Sequence, residues 1–103
     1  MSSSLNYTLN IQFEWDEEKS SRCFRERGFD FAYAASAFAD PCQLVKVDAR
    51  YNYGEDRHQL VGGIEGRVYV VIYTRRRNAI RIISARKANS REVKDYENQA
   101  SAH

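Results

Sequence analysis

Between Arg57 and Ala85 the chain reads as three apolar strands with almost nothing between them: "RHQLVGGI", "RVYVVIYT" and "AIRIISA". The links are Glu65-Gly66 and "RRRN". Links this short cannot carry a crossover helix, so the three strands must pair as successive antiparallel hairpins. "QLVKV" precedes them after the loop "YNYGED", and "IQFEW" supplies a short strand near the start. Helical signals occupy the rest. Asp16 caps a helix to about Arg27 with Gly28 as its stop, and Asp30 caps "FAYAASAFA", which Asp40-Pro41 ends. Asn89 and Glu92, three apart, form a capping box for a last helix whose inner side carries Val93 and Tyr96. The order is β-α-α-β-β-β-β-α, an α+β fold in which an antiparallel meander sheet packs against helices.

One domain is expected from 103 residues. The boundaries are a flexible extension at 1–9, the domain at 10–98 and a short tail at 99–103. Cys23 and Cys42 are too few for a disulfide framework and are read as reduced thiols. No cluster with metal-ligand spacing is present, and no cofactor motif; "GGIEG" lacks the strand-to-helix context of a phosphate loop. No apolar run has signal or transmembrane length, so a cytoplasmic protein with no membrane partner is expected.

The net charge is only +2, yet its distribution is uneven. Nine basic residues lie between Arg57 and Arg91, and Glu65 is the one acid among them. Glu14, Asp16, Glu17 and Glu18 balance them from the N-terminal third. Twelve of the sixteen cations are Arg, whose planar fork suits phosphate. A basic half of this kind fits either a phosphate-rich ligand or a solvated surface.

Alternation in "AIRIISA" places Ile80, Ile82 and Ser84 on one face and Arg81, Ile83 and Ala85 on the other. An arginine in so apolar a strand needs a partner, either an acid such as Glu92 or a bound phosphate. In "RVYVVIYT", Val68, Val70, Ile72 and Thr74 read as the core face. Arg67, Tyr69, Val71 and Tyr73 then face a groove, where Tyr73 is a candidate proton donor, or else simply covers the sheet. Arg57 opens its strand beside the polar loop, with His58 facing the opposite way; a lone histidine is a weak acid–base candidate. Arg86, Lys87 and Arg91 surround the start of the last helix, where added cations oppose the helix dipole and a bound phosphate would reconcile both. The triple arginine at 75–77 sits at a hairpin tip and offers diffuse attraction at most.

The blocks "FEWDEEK", "GFDFAYAASAFADP", "GEDR", "GRVYVVIYT" and "RIISARKANSREVKDYE" resemble, in order and spacing, the BrnT toxins of bacterial BrnT–BrnA toxin–antitoxin systems. The resemblance covers about residues 12–97. It implies a RelE-like fold and an endoribonuclease that cuts RNA, on the ribosome or off it, and so inhibits translation. It also implies a BrnA-like ribbon-helix-helix antitoxin as partner, with operator DNA reached only through that antitoxin. On this pattern the catalytic candidates are Lys19, Arg57, Arg81, Arg86, Glu92 and, from the residue reading, Tyr73. Arg67, Lys87 and Arg91 are RNA-binding candidates. Ser84 and Tyr96 also fall on the last block.

Metal-free RNA cleavage needs a base for the ribose 2′-hydroxyl, cations for the phosphorane and an acid for the leaving oxygen. The arginines suit the charge, Glu92 or Lys19 the base, and Tyr73 the acid. One departure stands out: the family pattern has Lys-His before the glycine that ends the first helix, and Glu26-Arg27 stand there instead. A module that binds antitoxin or RNA without cutting is the alternative, and a purely structural repressor subunit a third reading.

Overall fold

The computed structural model describes residues 11–48 and 56–101. The extension read at 1–9 and most of the "YNYGED" loop lie outside them. Among the described residues five strands form one sheet, and three helices pack against it. The strands are β1 (Gln12–Trp15), β2 (Leu44–Asp48), β3 (Arg57–Ile64), β4 (Arg67–Arg76) and β5 (Ala79–Lys87). Helix α1 spans Glu17–Arg27 and α2 Phe31–Ala34, which tightens into a 3₁₀ turn over Ala35–Ala39; α3 spans Ser90–Ser101 and so runs into the segment read as a tail.

The caps arise from local chemistry. The Asp16 carboxylate accepts from the N–H groups of Glu18 and Lys19 at 2.9 and 3.2 Å, and Gly28 closes α1 with φ of 86°. The Asp30 carboxylate caps α2 through the Tyr33 N–H at 2.9 Å. Asn89 and Glu92 exchange both bonds of a capping box, at 2.8 and 2.9 Å.

The sheet order is β1-β5-β4-β3-β2. Strands β2 to β5 pair antiparallel in succession, but β1 lies parallel to β5, with Gln12 opposite Ala79 and Trp15 opposite Ile82. The expected all-antiparallel meander is therefore corrected to a mixed sheet. The physical reason is the route of the chain. After β1 it crosses one face through α1 and α2, and the sheet then grows from β2 inward until β5 meets β1.

One face of the sheet carries α1 and α2 over a core that includes Phe31, Ala34, Ala37, Leu60, Tyr69, Val71, Tyr73 and Ile82. Buried Ser20 accepts from the Phe31 N–H at 3.0 Å, and the buried Cys23 thiol donates to the Ala85 carbonyl at 3.6 Å, so α1 is tied both to α2 and to β5. Gly62 is where the 3₁₀ turn approaches the sheet. A Cβ there would lie 2.8 Å from the Ala37 carbonyl oxygen and 3.3 Å from the Ala37 Cβ. Gly62→Val should therefore cost about 2–3 kcal/mol, read as a lower urea midpoint at unchanged slope, because the obstacle is backbone.

Candidate nucleic-acid interface

Strand β5 is not regular. Ile72 pairs with Ser84, yet its neighbour Tyr73 pairs with Ile82, so Ile83 is an extra residue in the ladder. This bulge resets the alternation. Ile80, Ile82 and Ala85 all turn into the α1–α2 core, whereas Arg81, opposite Thr74, and Arg86, opposite Val70, share the far face. In an unbroken strand Arg81 and Arg86, five apart, would point to opposite sides. The reading that grouped Arg81 with Ala85 is corrected accordingly.

On that far face one row runs across all five strands, from Asp48 on β2, which pairs with Arg57, to Glu14 on β1. Arg57 pairs with Thr74, Thr74 with Arg81, and Arg81 with Glu14. The Cα atoms of Arg57 and Arg81 are thus two strand spacings apart, about 10 Å. Between them Thr74 is buried, its hydroxyl donating to the Asp56 carbonyl at 2.7 Å. The next row holds Ser84, Ile72, Gln59 and Lys46. The third holds Arg86 and Val70, beside the start of α3.

The two arginines of β5 differ in how they are held. Arg81 meets the Glu14 carboxylate through one contact of 3.3 Å, with side chains 35% and 43% exposed. A half-exposed pair of this geometry is weak and exchangeable. Arg86 is gripped by Glu92 through two parallel bonds of 2.8 Å each. The Arg86 fork, with the Asn89 N–H in support, outweighs burial and holds the Glu92 carboxyl below its ordinary range. The Glu92 carboxylate thus stands at the start of α3 as the partner of Arg86. A carboxylate so engaged is a poor base.

Tyr73 is not on this face. It is 3% exposed, edge-on to Phe38 at 4.9 Å between ring centroids and stacked on His58 at 5.2 Å. Burial raises its hydroxyl pKa against the opposing pull of Arg75. Tyr69 is likewise buried, against Phe29 at 5.0 Å. Val70 and Thr74 are buried, as the core-face reading of β4 expects, but Tyr69, Val71 and Tyr73, read as groove-facing, are buried as well, so the groove reading is corrected. Residues Lys19, Arg67, Lys87 and Arg91 are exposed. Lys19 stands beside the open edge of β5, in a hollow with Arg22 and Ser84. Lys87 lies on the α1–α2 side with Phe29 and Tyr69, and Arg67 lies at the β3–β4 turn, so neither joins the row. Glu14 is not singled out by the sequence, because only the β1–β5 pairing brings it opposite Arg81.

Helix α3 closes the lower part of the face through one polar node. The Tyr96 hydroxyl donates to Asp40 at 2.5 Å, and the same carboxylate accepts from the Gly63 and Cys42 N–H groups at 2.7 and 2.9 Å. Burial opposes the charged form of Asp40, but those donors outweigh it and hold its pKa low; Tyr96 is pushed up to about 12. A lowered acid stabilises the fold above its unfolded pKa, near 4, and loses that contribution as pH falls through its folded value. A raised tyrosine contributes below about 10 and loses that contribution as pH climbs towards 12. The node should therefore hold α3 between these limits. At pH 7 Tyr96→Phe should cost about 1–2 kcal/mol in urea unfolding, and the difference from the parent should shrink at pH 3.

Among the described residues no group of His, Cys, Asp and Glu has metal-site geometry, and no helix is long and apolar enough to cross a membrane. Among curated proteins none matches the chain. The family model for the ribonuclease toxin BrnT of type II toxin–antitoxin systems matches residues 15–92. That span runs from Trp15 at the end of β1 to Glu92 in the capping box, and it takes in the whole arginine face except Glu14. The match covers more than half of the chain, and the chain belongs to the BrnT family of ribonuclease toxins.

Proposed function

We propose that this chain is an active endoribonuclease of RelE-like arrangement, which cuts RNA without a metal and so inhibits translation in the cytoplasm. The observation that carries the reading is the row Arg57–Thr74–Arg81, joined on the same face by Arg86 through the Ile83 bulge. Cations placed on one sheet face suit a phosphodiester and the extra charge of its phosphorane.

In this scheme the ribose 2′-oxygen attacks phosphorus and the bond to the 5′-oxygen breaks. Arg81 exchanges Glu14 for the phosphate, and the released Glu14 carboxylate takes the 2′-hydroxyl proton. Lys19, entering from the open edge of β5, donates a proton to the leaving oxygen. Arg57 shares the phosphorane charge, and Arg86 acts by fixing α3. This assignment moves the base from Glu92 to Glu14 and the acid from Tyr73 to Lys19. The exposed Arg67, Lys87 and Arg91 add only diffuse attraction for a polyanion, from outside the row. The partner is a BrnA-like ribbon-helix-helix antitoxin, through which alone operator DNA is reached.

A second reading, RNA or antitoxin binding without cleavage, is favoured by one observation. Among the described residues the far face presents no histidine: His58 lies on the other side against Tyr73, and Glu26-Arg27 stand where the family pattern has Lys-His. Purified protein incubated with end-labelled RNA in a chelator separates the two. Fragments ending in 2′,3′-cyclic phosphate and 5′-hydroxyl are the expected result. Salt-sensitive binding with the RNA left whole would sink the enzymatic reading.

A further inference from the structure

On the helix-bearing side, away from the arginine row, a cleft of about 970 Å³ opens between β2 and the β4–β5 hairpin. Its walls include Ile11, Phe38 and Val45, and no acid lines it among the described residues. Arg75, Arg76 and Arg77 stand along one rim. Ile11 is 56% exposed, and Val45 and Val47 are 47% and 61% exposed on the same face of β2. Ile11 and Val45 line the cleft and Val47 continues the same face of β2, and an exposed apolar patch with a polar rim marks an interaction site.

The chemistry of walls and rim defines the occupant. Aliphatic walls call for apolar side chains, and a cationic rim without acids calls for carboxylates. A nucleic acid strand would satisfy the rim but needs flat rings on which to stack its bases. Tyr73 cannot serve, because it is 3% exposed between Phe38 and His58, and Phe38 already packs at an angle against Tyr73 and Phe13, at 4.9 and 5.1 Å between centroids. We propose that this cleft docks an amphipathic, acidic segment of a partner protein, with its apolar side on Phe38, Val45 and Val47 and its carboxylates along Arg75 and Arg77. The inference deepens the partner side of the proposed function and rests on it only in requiring that a protein partner exists. Docking here leaves the arginine row on the opposite face uncovered, so the segment anchors a partner and does not itself plug the site.

The test uses the whole chain, ¹⁵N-labelled, titrated with a synthetic helical peptide that carries leucines along one side and glutamates along its flank. Controls are the same peptide with lysine for glutamate, and oligouridine. Amide shifts should move at Ile11, Val45, Val47 and Asn78 with the acidic peptide and not with the basic one. Arg75→Glu with Arg77→Glu, or Val45→Asp alone, should weaken binding about tenfold, as loss of rim pairs and apolar contact requires. These variants should still cut RNA, whereas Arg81→Ala should still bind the peptide; cleavage and docking thus fail separately. Equal binding of acidic and basic peptides, or binding unchanged by the substitutions, would overturn the proposal. So would oligouridine shifting the same amides, which assigns the cleft to nucleic acid, or a dimer that Val45→Asp abolishes, which assigns it to a second copy.

Discussion

Replacing Arg81 by alanine should lower RNA cleavage by about 100-fold with little loss of stability. The first part follows from charge. A phosphorane carries more negative charge than the diester it comes from, so a guanidinium aimed at it stabilises the transition state more than the ground state. Removing one such donor costs about 10²–10³ in rate where it has been tested. The second part follows from exposure. The Arg81–Glu14 contact is single, 3.3 Å long and well solvated, and pairs of that kind contribute about 0–1 kcal/mol. Single-turnover cleavage of labelled RNA, beside a urea melt of the same sample, measures both. In cells the same substitution should relieve growth arrest on induction. Cleavage within threefold of the parent, by a folded variant, would remove Arg81 from the mechanism.

Arg86→Ala should behave in the opposite manner, losing stability first, because it strands the half-buried Glu92 carboxylate at the head of α3. The contrast between two arginines of one strand is a property of their partners, not of their type.

Tyr73 offers the second large effect. Tyr73→Ala should destabilise the domain by about 3–5 kcal/mol, the range for emptying a buried aromatic site. Its ring is 3% exposed and fills the space between Phe38 and His58, under the 3₁₀ turn. Tyr73→Phe keeps that volume and should stay within about 1 kcal/mol of the parent, with RNA cleavage unchanged. Chemical denaturation of both variants, with the cleavage assay on Tyr73→Phe, checks the pair. A tenfold fall in cleavage for Tyr73→Phe would restore the tyrosine as a proton donor and reverse the placement of the site on the far face.

Much of the architecture is legible in the residues because it is local. Asp16, Asp30 and the Asn89/Glu92 pair each satisfy backbone groups within three positions, so a short window contains the whole interaction. Gly28 supplies the left-handed residue that ends α1. The β3–β4 and β4–β5 hairpins follow from links too short for any other connection.

The site itself was less legible, for three reasons of the same kind. Alternation assumes an unbroken period of two, and the Ile83 bulge breaks it; whether β5 bulges depends on its fit to β4, not on its own residues. Both faces of β4 are buried, so hydrophobicity could not say which faced α1 and α2. Glu14 meets Arg81 only because distant segments pair in parallel. The sequence alone determined which elements form, where the helices begin, and the family to which the chain belongs, since caps, turns and motif spacing act over a few residues. The tertiary structure alone decided which arginines share a face, which of them an internal carboxylate holds fast and which tyrosine is core, since each depends on contacts between segments tens of residues apart.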